Sequence, residues 1–226
     1  MATPRFTGAR IGLVQFPGSN CDFDCLEAFK QRFGIALVTV WHDEVRLPQV
    51  DRVILPGGFS YGDYLRGGAL ASHSPIMQDV KRFAAKGGPV IGICNGFQIL
   101  TEARLLPGVL LRNASQKFVC QHVDLTVADG TSAYHKRLAH QTVRIPIAHG
   151  EGRFVADDAT LARLRERGQV LFRYSENPNG ALDSIAGIVS ENGRVMGLMP
   201  HPERAADRLM GGSEDGLAVL EAFLAS

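Results

Sequence analysis

The chain has 226 residues, 45% hydrophobic and 21% charged, with basic and acidic side chains balanced to a net charge of +1. This is globular composition with enough apolar material for a core covered on both faces, which excludes global disorder. The interspersed charges leave no basic field to hold a phosphate backbone or an anionic membrane, so no nucleic acid and no membrane surface is an expected partner. Met1 to Arg10 lack the apolar core of a signal peptide, and no apolar run approaches membrane-spanning length, so a cytoplasmic protein is expected. No linker divides the chain, which predicts one domain over 1–226. Four cysteines, at 21, 25, 94 and 120, show no paired zinc-finger spacing and are expected as reduced thiols.

In chain order, Ile11 to Phe16 is a short apolar run closed by Pro17-Gly18-Ser19-Asn20, and Asp22 to Phe33 follows with helical spacing until Gly34 stops it. Ile35 to Trp41 and Arg52 to Leu55 read as buried strands, the second leading into the sharp turn Pro56-Gly57-Gly58. Ser74-Pro75 predicts an N-cap followed by proline at the first helical position, opening a helix to Lys86. Pro89 to Ile93 is the next strand, and Asn95 to Arg104 resumes helical periodicity. Val119 to Val127 then alternates with period two, which predicts antiparallel additions. Thr160 to Arg167 reads as a surface helix, Val170 to Tyr174, Ile185 to Val189 and Val195 to Met199 as strands, and Glu214 to Leu224 as a terminal helix. Early strand-helix alternation implies an α/β fold: an open, mostly parallel sheet with helices on both faces and a smaller antiparallel addition. Such sheets place their sites at the carboxyl ends of strands.

The most informative stretch is Gly92-Ile93-Cys94-Asn95-Gly96-Phe97-Gln98, a glycine-flanked nucleophile between a strand and a helix, the pattern of a nucleophile elbow. Flanking glycines leave room for the tight turn, and the helix N-terminus favours a thiolate. Cys21, Cys25 and Cys120 lack that setting and read as small buried hydrophobes without a catalytic role. A thiolate nucleophile needs a partner to protonate the leaving group. Met199-Pro200-His201-Pro202-Glu203 offers His201 at the end of an apolar strand, with Glu203 two residues on to orient it. Acyl transfer also needs oxyanion donors, for which the main-chain N–H groups of Gly58 and Asn95 are the candidates. The Gly-Lys-Ser/Thr ending of a P-loop and a G-x-G-x-x-G after a strand are both missing, which argues against a nucleotide site on this chain.

With these residues in view, the chain resembles the triad-type glutamine amidotransferases of flavodoxin-like fold, in particular the glutaminase subunits of phosphoribosylformylglycinamidine synthase. The resemblance runs from Phe16-Pro17-Gly18-Ser19-Asn20-Cys21-Asp22 through Leu55-Pro56-Gly57-Gly58-Phe59-Ser60-Tyr61-Gly62-Asp63, the Cys94 elbow and His149-Gly150-Glu151-Gly152-Arg153-Phe154 to Gly197-Leu198-Met199-Pro200-His201-Pro202-Glu203-Arg204. It implies Cys94 as nucleophile, His201 and Glu203 as its partners, and the amides of Gly58 and Asn95 at the oxyanion. It also implies Gln98, Gly57, His149 and Gly150 around the glutamine. For His149, a core histidine bonded to backbone is an equal alternative. No cofactor or metal is expected on this chain. ATP and magnesium are expected on a separate synthetase subunit that receives the ammonia and aminates formylglycinamide ribonucleotide in purine biosynthesis, with a small accessory subunit beside it. Ser60 to Arg66 and Glu151 to Phe154 are read either as contacts to that synthetase or gates of an ammonia tunnel to it, or as plain loop architecture in which Asp63 and Arg66 form a surface ion pair. Two other readings stay open: a flavodoxin-like cysteine hydrolase or chaperone of the peptidase type, and a glutamine-sensing subunit without activity.

Overall fold

A computed structural model of the chain describes residues 6, 8–139 and 141–226. Met1 to Arg5 and Thr7, part of the amino-terminal segment read above, lie outside them. Among the described residues no helix is long and apolar enough to cross a membrane.

The elements run β1 (Ile11–Gln15), α1 (Asp22–Phe33), β2 (Val38–Trp41), β3 (Arg52–Leu55), α2 (Ile76–Ala85), β4 (Val90–Ile93), α3 (Asn95–Glu102) and β5 (Val109–Leu111) in the first half. The second half holds β6 (Val119–Val127), α4 (Ala133–Leu138), β7 (Thr142–His149), β8 (Arg153–Val155), α5 (Asp158–Glu166), β9 (Val170–Tyr174), β10 (Ile185–Val189), β11 (Val195–Leu198), α6 (Arg208–Gly211) and α7 (Gly216–Leu224). Nine strands form one sheet in the order β2-β1-β3-β4-β11-β10-β9-β6-β7, while β5 and β8 pair separately. The first five are mutually parallel, and β10, β9, β6 and β7 extend the same sheet antiparallel. The expected parallel sheet is therefore present, and its antiparallel addition continues it edge to edge.

Most boundaries follow from local chemistry. In α1, Asp22 and Asp24 occupy the first turn and Lys30 and Arg32 the last, each sign complementing the helix dipole, and Gly34 ends it in the left-handed region at φ 67°. Its inward face buries Cys25, Ala28 and Phe29. Strands β4 and β11 are buried throughout, as central parallel strands must be.

Three expectations need correction. The strand predicted from Ile35 begins only at Val38, and as the sheet's edge it is half exposed. Ser74 does not cap α2 through its side chain, because its hydroxyl is taken by the Tyr61 hydroxyl at 3.0 Å. Strand β7 has no counterpart among the predicted strands: Val143, Ile145 and Ile147 alternate inward, but Pro146 in their midst argues against a strand. Proline is tolerated there because β7 is the opposite edge and pairs only with β6.

Candidate active site

The site is assembled by the pairing of β4 with β11. Residues 90–93 lie in parallel register with 195–198, so Ile93 and Leu198 end side by side. The chain leaves β4 at Cys94 and leaves β11 toward His201, bringing together two residues 107 positions apart at the carboxyl edge of the sheet. Main-chain bonds lock both exits. The Cys94 N–H donates to the Leu198 carbonyl at 2.8 Å, and the His201 N–H to that of Pro146 at 2.8 Å.

Cys94 holds φ 51° and ψ −105°, a conformation rarely adopted by a residue with a side chain, immediately before α3. The glycines around it are required by contact. A Cβ on Gly92 would stand 2.6 Å from the Gly96 carbonyl oxygen, and one on Gly96 only 2.0 Å from that of Leu55. The nucleophile elbow expected from the sequence is present. Its sulfur is nearly buried and lies 3.8 Å from the Ala148 carbonyl oxygen, to which the thiol donates.

His201 and Glu203 are both buried, and His201 Nδ1 lies 2.6 Å from Glu203 Oε1. This bond fixes the ring and leaves Nε2, which has no hydrogen-bond partner among the described residues. Burial opposes charge on His201, but the Glu203 carboxylate and then the Cys94 and Cys21 sulfurs outweigh it and hold the imidazole well above its usual range. The Glu203 carboxylate stands beside the His201 ring, as the His-x-Glu spacing predicts.

A cavity of about 280 Å³ is lined by Cys94, Gly58, Gln98, His149, Gly150 and Asp63, among others. Gly58 has φ 139°, and a Cβ there would meet the Asn20 nitrogen at 2.7 Å, so glycine is required. Its N–H has no main-chain acceptor among the described residues. The Asn95 N–H, in the first turn of α3, has no intrahelical acceptor. The Asn95 side chain does structural work, accepting from the Ser60 N–H at 3.1 Å and donating to Gln98 Oε1 at 2.8 Å. Gln98 in turn donates to the Glu151 carbonyl at 2.6 Å, so its amide shapes the cavity wall with both ends committed. Gly57 packs behind the imidazole: a Cβ would come 2.8 Å from His201 Cε1.

His149 is buried, but its ring is held by a side chain rather than by the backbone bond expected of a core histidine. It lines the cavity, and its Nδ1 donates to Asn113 Oδ1 at 3.0 Å, since the Asn113 amide nitrogen is occupied by the Lys117 and His149 carbonyls. Burial, and then the charge on His201, bring it down to about 4, so it is neutral near pH 7.

Several participants were not legible as such. Asp63 borders the cavity, and burial followed by the Glu151 charge raises it to about 6. It does not pair with Arg66, which instead grips Glu102 through two bonds of 2.6 Å. Phe154 is no surface contact; it is fully buried and stacked on Phe97 with ring centroids 6.2 Å apart. Cys120, expected to be buried, is exposed because it shares the outward face of β6 with His122 and Asp124. Cys21 is buried as expected, yet it stands against His201 in a second cavity of about 120 Å³ shared with Cys94 and Arg204. A much larger polar groove near Arg104 and Arg167 is bordered by Arg66 and Glu102 but by none of Cys94, His201, Glu203, Cys21 or Asp63.

A family model of the CobB/CobQ-like glutamine amidotransferase domain matches residues 9–213. The chain belongs to this glutamine amidotransferase family. It is 52% identical over 217 residues to phosphoribosylformylglycinamidine synthase subunit PurQ of Trichormus variabilis, covering 95% of this chain and 96% of that protein. The subunit of the same name from Salinibacter ruber is also 52% identical, over 226 residues. Among solved structures, a chain of PurLQS from Thermotoga maritima superposes with a TM-score of 0.86 at 43% identity, covering 96% of this amidotransferase and 98% of that chain. A further glutamine amidotransferase from Thermotoga maritima shares the fold, with a TM-score of 0.60 at 17% identity.

Proposed function

We propose that this amidotransferase is the glutaminase subunit of a phosphoribosylformylglycinamidine synthase. It releases ammonia from glutamine for a separate ATP-dependent synthetase that converts formylglycinamide ribonucleotide to formylglycinamidine ribonucleotide in purine biosynthesis. The observation that carries the chemistry is the side-by-side ending of β4 and β11, which sets a strained, glycine-flanked thiol beside a buried imidazole-carboxylate pair. The partner is supported by the names of its close relatives.

In this reading glutamine enters the 280 Å³ cavity with its carboxamide toward Cys94. The Cys94 thiolate attacks the carboxamide carbon, and the Gly58 and Asn95 N–H groups hold the oxyanion. His201, charged and oriented by Glu203, gives its Nε2 proton to the departing ammonia. A glutamyl thioester remains on Cys94. Water, deprotonated by the now neutral His201, attacks it and yields glutamate and the free thiol. Gly57, Gly150, Gln98 and neutral His149 shape the cavity around the amino-acid end. No metal is required, and ATP with magnesium belongs to the synthetase.

Ammonia set free in neutral water is protonated and loses the lone pair needed for attack, so the product is useful only if delivered directly. The subunit therefore works in the cytosol within a complex that holds the synthetase and a small accessory subunit. Phe59 and Phe118, each about half exposed with ring centroids 6.5 Å apart, form an apolar rim at the cavity mouth suited to such a partner. Glutamate release should be slow for the isolated chain and rise several-fold on adding synthetase, ATP and formylglycinamide ribonucleotide. Equal rates with and without them would remove the coupling from the proposal.

A further inference from the structure

The proposed hydrolysis uses Cys94, His201 and Glu203 and leaves a second thiol beside them without a task. Cys21 is 3% exposed, and its sulfur lies 3.2 Å from Arg204 Nη2. Its Sγ, a ring nitrogen of His201 and a carboxylate oxygen of Glu203 all lie within 4.8 Å of one another. Cys94 borders the same 120 Å³ cavity, with its sulfur beside the His201 ring. Two buried polar atoms here, His201 Nε2 and Glu203 Oε2, have no partner among the described residues.

We propose that Cys21, Cys94 and His201 Nε2 form a binding site for a soft divalent cation of the zinc class, whose occupation blocks the nucleophile and the base together. Zinc takes thiolate and imidazole ligands at about 2.0–2.3 Å, so the Cys21 and Cys94 sulfurs, both beside the His201 ring, must close on Nε2 by side-chain adjustment. A zinc-binding histidine characteristically gives its other ring nitrogen to a carboxylate, which fixes the ring and strengthens the ligand. Glu203 already does this at Nδ1, leaving Nε2 free. The arrangement that suits a general base therefore also suits a metal ligand. Binding displaces to solvent the proton held at His201 Nε2 as well as the protons on the two sulfurs, and the two thiolates balance the charge of the dication. The Arg204 N–H directed at Cys21 supports the anionic sulfur. Two sulfurs and one nitrogen select zinc, cobalt or cadmium over magnesium and calcium, which prefer oxygen.

The site rests on geometry, whereas its inhibitory consequence rests on the hydrolysis proposed above, and the test separates them. The full-length chain, free of chelators, is titrated with cobalt. The expected result is one equivalent bound with a thiolate-to-cobalt charge-transfer band, displaced by zinc and lost in Cys21→Ser and Cys21→Ala. Loss of even a supporting hydrogen bond around a metal ligand costs about tenfold in affinity. The zinc concentration giving half inhibition should therefore rise tenfold or more in the Cys21 variants, each read against its own zinc-free rate. In the wild type, zinc should also protect Cys21 and Cys94 from alkylation by iodoacetamide, while exposed Cys120 is modified with or without it. Absence of the cobalt band in the wild type, or its persistence at unchanged affinity in both Cys21 variants, would overturn the site. Cobalt binding in a chain that does not hydrolyse glutamine would leave the site standing and remove the functional reading instead.

Discussion

Replacing Gly96 by alanine should misplace the nucleophile without touching any reacting atom. The new methyl would lie 2.0 Å from the Leu55 carbonyl oxygen, more than 1 Å inside ordinary van der Waals contact. That oxygen belongs to a buried strand and cannot move aside, since β3 is paired on both edges, with β1 and with β4. The start of α3 must retreat by about 1 Å, carrying Cys94 with it. Overpacking of this kind costs about 1–3 kcal/mol, which for a chain of this length lowers Tm by about 2–12 °C. A 1 Å error at the reacting atom costs about 10²-fold in rate. The matched control is Gly12→Ala, on the same sheet, where the nearest heavy atoms stand at an ordinary 3.6 Å. Glutamate release and thermal melting of the two variants give the comparison. If Gly96→Ala keeps kcat/KM within twofold of Gly12→Ala at the same Tm, the inference that the glycine sets the sulfur's position is wrong.

Glu203→Gln should lower kcat for glutamate release by about 10³-fold with little change in KM, because the carboxylate that orients and charges His201 is lost while the glutamine cavity is untouched. His149 titrates at about 4 in the fold against an ordinary value of 6.5. The unfolded chain therefore binds its proton first, and about 3 kcal/mol of stability is lost as pH falls from 6.5 to 4. Denaturant titrations across that window should show a steeper loss for the wild type than for His149→Asn. Asp63 has the opposite sign. Its carboxyl is raised from 3.8 to about 6, so its charge opposes folding in full above pH 6, and the penalty shrinks as pH falls through that window and is gone below 3.8. Asp63→Asn should raise Tm at pH 8, with the gain shrinking toward pH 5.

What was readable in the chain is what local contact enforces. The elbow shows through because Gly92 and Gly96 are needed by atoms a few residues or one strand away, and α1 because Gly34 must take a left-handed stop. The His201–Glu203 pair follows from a spacing of two. The unreadable features depend on partners far along the chain. Nothing near Asn113 announces that it will steady His149, and nothing near Arg66 points to Glu102. Ser74 has the form of a cap, but Tyr61 claims its hydroxyl. The β7 edge strand was hidden by Pro146, whose cost depends on whether a neighbour pairs on that side. Cys21 shows the same limit: its own segment says only that it is buried, and its approach to His201 comes from the packing of α1 against the Pro202–Ala205 turn.

The central claim is that Cys94 and His201 act as one device on glutamine, and a glutamine analogue carrying an electrophile at the carboxamide position tests it most directly. Intact mass and peptide mapping should show one adduct per chain on Cys94, formed far more slowly in His201→Ala and absent in Cys94→Ser. Modification at Cys21, Cys25 or Cys120 instead, or equal labelling rates in the wild type and His201→Ala, would contradict it.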